Sequence, residues 1–260
     1  MSLVQLSASQ YQLVHNVLSL AVAAMLASFV FFVLARHQLS PRFRPAMVMS
    51  SVVVIIAGYH YLRIFNSWHD AFELKAGVYQ PTGLPFNDAY RYVDWFLTVP
   101  LLCAELVSVL NLKDGVRGPL MAKLVIASAL MIGLGYPGET ASTMTMRGAW
   151  GFASSIPFVY ILYVLWVELA KAASSESAEV KILLRNSRLL ILATWGFYPI
   201  AYLLPQLGVG GSSSLVGVQV GYSFADIAAK CGYGIMIYAI ARAKMSASGE
   251  SVENGATGAA

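Results

Sequence analysis

The chain has 260 residues, 58% of them hydrophobic and only 12% charged, with a mean hydropathy of +0.65. That balance excludes an ordinary soluble globular domain, and the length leaves no room for a second domain beside a set of long apolar helices. The net charge of +4 and the pI near 9.0 follow from an uneven distribution of Lys and Arg between loops, so they call for no nucleic-acid partner.

Taken in chain order, apolar runs predict spans at 10–36, 45–70, 86–111, 120–137, 147–171, 186–205 and 215–241. Each approaches or exceeds the roughly 20 residues that cross a bilayer. The expected fold is therefore all-α, a seven-transmembrane-helix bundle in membrane lipid, with short loops that make neighbouring helices antiparallel. Residues 1–245 form the membrane domain, and the small, polar segment 246–260 reads as a disordered cytoplasmic tail. The first residues lack the charged start of a secretory signal.

Lys and Arg set the orientation. With the N-terminus outside, the inward segments hold Arg36, Arg42, Arg44, Lys113, Arg117, Lys123, Lys171, Lys181, Arg185, Arg188, Arg242 and Lys244. The other side has little beyond Arg63, Lys75 and Arg147. The C-terminus is thus expected in the cytoplasm of a cell whose inner (plasma) membrane holds the protein. Cys103 and Cys231 fall within spans and read as small core residues.

Charged residues inside spans are costly, about 2.5–3.5 kcal/mol each on insertion scales, so those present mark chemistry. The third span carries Arg91, Asp94, Thr98 and Glu105; the seventh carries Asp226 and Lys230. Asp94, Thr98 and Glu105 share one helical stripe, with the two acids about 16 Å apart along the axis. Counted from the outer ends, Asp94 lies about 13 Å deep, Lys230 about 22 Å and Glu105 about 29 Å. Asp226, one turn outward of Lys230, supplies a counter-charge on the same face. The lysine must be paired, deprotonated or covalently modified. Two acids outward of it and one inward form a proton relay with a direction. Singly, each has a bland reading: a helix–helix contact for a carboxylate, neutralisation of Asp94 for Arg91, snorkelling for Glu105.

The segments RYVDWFLTVPLLCAEL, WGFYPIAYLLP and ADIAAK resemble the microbial rhodopsins. AGYHYLRIFNSW and FNDAYRYVDW narrow the resemblance to their proteorhodopsin and xanthorhodopsin-like branch, and it covers nearly the whole chain. The resemblance implies all-trans retinal bound as a Schiff base to Lys230. Asp94 and Asp226 would be its counterions, with Arg91 balancing the surplus negative charge. It further implies a pocket of Trp95, Leu102, Met131, Gly135, Trp150, Ser154, Phe158, Trp195, Tyr198, Pro199 and Tyr222. By residue spacing alone, an aromatic stripe such as Trp195 and Pro199 is more often a packed core than a cofactor wall, and only the resemblance reverses that reading.

The activity implied is outward, light-driven proton pumping, with Asp94 as proton acceptor and Glu105 as cytoplasmic donor. Asp94, Thr98 and Glu105 match the pattern of the proton pumps, whereas sodium pumps carry asparagine, aspartate and glutamine there. His60, in GYHY, matches a histidine that hydrogen-bonds the counterion in this branch, so His60 and Asp94 are expected to titrate together. Gly151 matches a glycine that opens a lateral window for a carotenoid antenna, implying a hydroxylated carotenoid partner. The alternative is that Gly148 and Gly151 are small residues for close helix packing. Leu102, where blue-tuned relatives carry glutamine, favours green absorption. Homo-oligomers are common among relatives and are expected here. A sensory photoreceptor is the rival function, although sensors usually lack an acid at the Glu105 position; a channel would need a polar pore that the second span does not line. The sequence leaves the proton-release group unnamed, since the loop QLGVGGSSS has no carboxylate.

Overall fold

The structure, a computed structural model, describes residues 4–112, 115–174, 176–204 and 207–252. Lys113 and the end of the expected tail, from 253 on, lie outside the described residues. Long helices α1 (Ala8–Ala35), α2 (Arg44–Ala71), α3 (Tyr90–Val109), α4 (Arg117–Glu139) and α5 (Met144–Ala173) match the first five expected spans. Their starts are set locally. Ser7 and Gln10 form a reciprocal capping box at α1, Pro45 occupies the first turn of α2, and the Thr143 hydroxyl accepts from Met146 N at α5.

The sixth expected span is two helices, α6 (Ala178–Trp195) and α7 (Phe197–Leu203), which meet at Gly196. The break has a local cause. Pro199 has no N–H for the carbonyl four residues earlier, Trp195, so the helical ladder is interrupted there. A Cβ on Gly196 would stand 2.7 Å from the Leu192 carbonyl oxygen, so only glycine fits the tightened turn. Six helices among the described residues are long and apolar enough to cross a membrane, and the α6–α7 pair completes the seven-helix bundle.

The seventh span is also interrupted. α8 (Gly211–Ile227) and α9 (Tyr233–Ser248) are joined by a π-helical turn, Ala228–Gly232, that contains Lys230. Such turns insert one residue into the ladder and are frequent at functional sites. Its i→i+5 spacing is invisible to a hydropathy reading, which sees one continuous helix. α9 ends at Gly249, whose φ of 68° is the left-handed cap glycine accepts at no steric cost. The helix therefore runs to Ser248, three residues into the segment expected as a disordered tail. Beyond it Glu250 meets Ser40 Oγ at 2.9 Å and Arg42 at 3.5 Å.

Each helix packs on its sequence neighbour from α1 to α5, and α8 returns against α1, which closes the bundle into a ring. At one end a small antiparallel sheet, not anticipated from the sequence, has the order β1 (Leu6–Ser7), β3 (Val78–Pro81), β2 (Phe72–Lys75). Ala76 and Gly77, at φ of 51° and 82°, make the two-residue turn between β2 and β3. Tyr79 then stacks on Tyr11 at 3.7 Å between ring centres, fastening the hairpin to α1. At the opposite, basic end, Arg42 bonds Asn111, Arg242 bonds the Gln38 carbonyl, and Lys244 pairs with Glu176 at 2.5 Å. The loops rich in Lys and Arg thus share one face, across the bundle from the sheet. Cys103 and Cys231 are free and buried, as core residues.

Candidate functional site

The π turn delivers Lys230 to the middle of the bundle, where it is 2% exposed. Its Nζ lies 2.5 Å from Asp226 Oδ1 and 3.1 Å from Asp94 Oδ2. α8 and α3 therefore each bring one carboxylate to the same amine. With Arg91 buried nearby, two anions face two cations, and the cluster is neutral overall when all four are ionised.

The two acids differ in their surroundings. Asp226 accepts hydrogen bonds from Tyr61 Oη at 2.6 Å, Tyr198 Oη at 2.7 Å and Trp95 Nε1 at 3.2 Å, in addition to Lys230. Neither oxygen of Asp94 has a hydrogen-bond partner among the described residues beyond the lysine pairing. Donors to a carboxylate favour its charged form. Asp226 is thus built as a fixed anion, while Asp94 retains open lone pairs. Thr98 donates to the Asp94 backbone carbonyl at 2.8 Å and leaves the carboxylate free.

Tyr61 is a residue that the sequence reading missed. It sits one position after His60, fully buried, and also donates to the Tyr222 carbonyl at 3.2 Å. A tyrosine within a hydrophobic span gives no signal that its hydroxyl reaches a charged partner on another helix. His60 is also buried, but its Nδ1 is directed at the Ile56 carbonyl of its own helix, 2.9 Å away. No hydrogen bond joins it to Asp94 in the structure, so any coupling between them acts through space. Arg91 lies over the rings of Tyr222 at 5.2 Å and Tyr61 at 5.6 Å, a cation–π arrangement that holds a guanidinium in an apolar bundle.

Glu105 stands apart from this group. It is fully buried toward the basic end, and Ser50 Oγ donates to its Oε2 at 2.7 Å. No cation is paired with it among the described salt bridges. The snorkelling alternative is thereby removed: the side chain faces the interior. Ser50, a small polar residue in the second span, is another partner that sequence alone did not single out.

Lys230 and Asp226 close one end of a cavity of about 330 Å³. Of the expected pocket residues, Trp95, Leu102, Met131, Gly135, Ser154, Phe158, Trp195, Tyr198, Pro199 and Tyr222 line it. Trp150 does not; its Cβ packs toward Gly138, where an added methyl would come within 2.9 Å of it. Gly151 does line the cavity, and beside it the walls include Phe152, 73% exposed, and Leu203, 45% exposed. The cavity therefore reaches the lipid-facing surface between α5 and α7. A Cβ on Gly151 would come within 2.6 Å of the Tyr202 ring, so the glycine also admits that ring.

The family model for bacteriorhodopsin-like protein matches residues 12–244. Among solved structures, the chain is similar to xanthorhodopsin, described as a light-driven ion pump with dual chromophore: 55% identity, TM-score 0.91, covering 95% of this chain and 99% of the other. It is also similar to a thermophilic rhodopsin, at 52% identity and TM-score 0.91 over 95% of this chain and 100% of that one. A green-light absorbing proteorhodopsin from Gamma-proteobacterium EBAC31A08 is 31% identical over 225 residues, 85% of this chain and 84% of the relative.

The Asp226 network gives a stability prediction. Asp226→Ala leaves Lys230 with one anion and strands the donors Tyr61, Tyr198 and Trp95, which should cost about 3–5 kcal/mol. Glu105→Gln strands no charge and should cost much less. Thermal unfolding of the purified protein checks the pair; equal midpoints for the two variants would contradict the assignment.

Proposed function

The chain belongs to the bacteriorhodopsin-like family, the microbial rhodopsins, and from that premise we propose that it pumps protons outward, with Asp94 as acceptor and Glu105 as donor. It is a multi-pass plasma-membrane protein and, like its family, a light-driven ion transporter rather than an enzyme. The observation that carries the proposal is the inequality of the two carboxylates at Lys230, together with a third, unpaired acid on the basic side.

The residues present fit retinal. The cavity ends at a primary amine, its walls are aromatic and apolar, and the ionisable acid and amine among its described lining residues are Asp226 and Lys230, with Asp94 paired to the same amine. Joined to Lys230 Nζ, retinal supplies the light-absorbing, isomerisable cation of the family. Trp95, Trp195 and Tyr198 confine a flat chain, Tyr222 lies at the same end, and Ser154 has its hydroxyl occupied by the Met131 carbonyl at 2.7 Å.

The protein groups then divide the work. Asp226, saturated with donors, stays charged and fixes the field at Nζ. Asp94 Oδ2, held only by the lysine at 3.1 Å, takes up a proton when that pairing is disturbed. Glu105 holds a proton in a buried site beside Ser50 and surrenders it toward the lysine. Access must switch sides between these two transfers for the net movement to be outward. Moving one proton against 100 mV requires about 2.3 kcal/mol. The sheet face is then outside and the basic face cytoplasmic, in keeping with the Lys and Arg distribution. An unpaired, buried Glu105 favours the pump over a sensor, which needs no fast internal donor. His60 modulates Asp94 through space, and Arg91 balances the acids.

A carotenoid antenna at Gly151 is the finer part of the proposal. What supports it is the cavity's opening to lipid beside Phe152 and Leu203. Tyr202 against Gly151 supports the packing alternative equally.

Illuminating unbuffered cells that contain the protein and retinal should acidify the medium, and a protonophore should abolish the change; no light-dependent change would refute pumping. In the same assay Glu105→Gln should keep colour but slow the return to the resting state about 10²-fold or more, within the usual contribution of one positioned proton donor. For the antenna, added hydroxylated carotenoid should sensitise retinal in the native protein and not in Gly151→Trp. Equal or absent transfer in both excludes the window.

A further inference from the structure

Releasing its proton turns Glu105 into an anion inside an apolar bundle. One of its oxygens, Oε2, accepts from Ser50 Oγ at 2.7 Å. The other, Oε1, is buried with no hydrogen-bond partner among the described residues. Around it Leu102, Cys103, Leu106 and Tyr233 belong to one packed apolar cluster. A carboxylate with a single donor is costly in such surroundings, so its formation calls for a second donor within reach.

Tyr233 carries a hydroxyl that the relay above does not use. It is the first residue of α9, about one helical turn inward of Lys230, and is fully buried. Its Oη donates to the Leu102 carbonyl of α3 at 3.4 Å. An O–H···O bond is ordinarily about 2.7–2.8 Å long, so this hydroxyl is loosely held. Helical side chains lean toward the N-terminus, over the residues three and four positions earlier. The Glu105 side chain therefore covers the turn of α3 that presents the Leu102 carbonyl. Among the described residues, Glu105 and Cys103 are the ionisable groups whose charge acts on the Tyr233 hydroxyl. α2, α3 and α9 thus bring Ser50, Glu105 and Tyr233 to one place.

Resting on the donor role given to Glu105 above, we propose that Tyr233 is a positioning residue for that role. Its hydroxyl turns from the Leu102 carbonyl to Glu105 Oε1 as the acid gives up its proton. The O–H bond of Glu105 breaks and the proton goes toward the Lys230 nitrogen. Tyr233 keeps its own proton and donates a hydrogen bond to the new carboxylate. Ser50 then serves Oε2 and Tyr233 serves Oε1, and donors of this kind favour the charged form of the acid. When a proton arrives from the basic face, Glu105 is neutral again and the hydroxyl returns to Leu102. The bland reading is that the Tyr233 ring fills the core and the Leu102 carbonyl merely satisfies its hydroxyl.

The test is a double-mutant cycle on retinal-loaded protein, read by flash photolysis with infrared detection of the Glu105 carboxylic C=O band. Tyr233→Phe should slow the return to the resting state about tenfold, the scale of one hydrogen bond to a charged group. The transient loss of the Glu105 band should slow in step. In the Glu105→Gln background the same substitution should add nothing, because no anion forms there. Equal slowing in both backgrounds is what lost core packing would give, and it overturns the proposal. Unchanged timing in Tyr233→Phe overturns it too. If Tyr233→Phe fails to take up retinal, the native sequence with ring-labelled tyrosine decides. A phenolic C–O band should then shift as the Glu105 band is lost and stay still in Glu105→Gln; no such shift overturns the proposal. A return unaffected by Glu105→Gln alone would instead remove the donor role, and the proposal with it, so the two failures are distinguishable.

Discussion

The structure depends on one constraint: a lysine ammonium at the centre of a membrane bundle must be neutralised within hydrogen-bond reach. Lys230 meets this with carboxylates from two different helices, at 2.5 Å and 3.1 Å. That requirement ties α3 to α8, recruits Tyr61 from α2 and Tyr198 from α7, and calls for Arg91 to balance the second acid. A buried pair of this kind contributes little net stability against an apolar alternative. Its retention is better understood as function. The polar network specifies which helices meet and how the amine is aimed.

The asymmetry between the acids gives that network its chemistry. Had both carboxylates carried equal donors, a proton leaving the lysine would have had two equivalent destinations. Four donors on Asp226 and one on Asp94 remove the equivalence. Glu105, with one serine and no cation among the described residues, stands separately on the far side. On the proposed reading, the same stripe of α3 carries an acceptor and a donor about 16 Å apart, given by helical rise alone. Direction arises from placement before any motion is invoked.

Much of this was legible in the sequence because membrane burial makes charge conspicuous. Asp94, Glu105, Asp226 and Lys230 stand out against apolar runs, and helical spacing ordered them by depth. The spans were also legible, with two exceptions of backbone origin. The α6–α7 break follows from Gly196 and Pro199, a signal present in the sequence but blurred by continuous hydropathy. The π turn at Lys230 has no composition cue, since inserting one residue into a helix leaves its hydrophobicity unchanged. Tyr61 and Ser50 escaped because a hydroxyl in an apolar span is uninformative until its partner on another helix is known. Trp150 is expected in the pocket wall by resemblance; it is not among the residues lining the cavity, and its Cβ lies close to Gly138. His60 was assigned a bond to Asp94 on the same ground, and its ring is engaged with its own helix. The sheet was missed because its strands are two to four residues long, below what alternation can reveal.

The division of labour between the acids is best tested by light-minus-dark infrared difference spectroscopy in the carboxylic C=O region. The account predicts that illumination produces a protonated carboxylic acid band that survives Asp226→Asn and is lost in Asp94→Asn. A band that disappears with Asp226→Asn and persists in Asp94→Asn would reverse the roles and contradict the account.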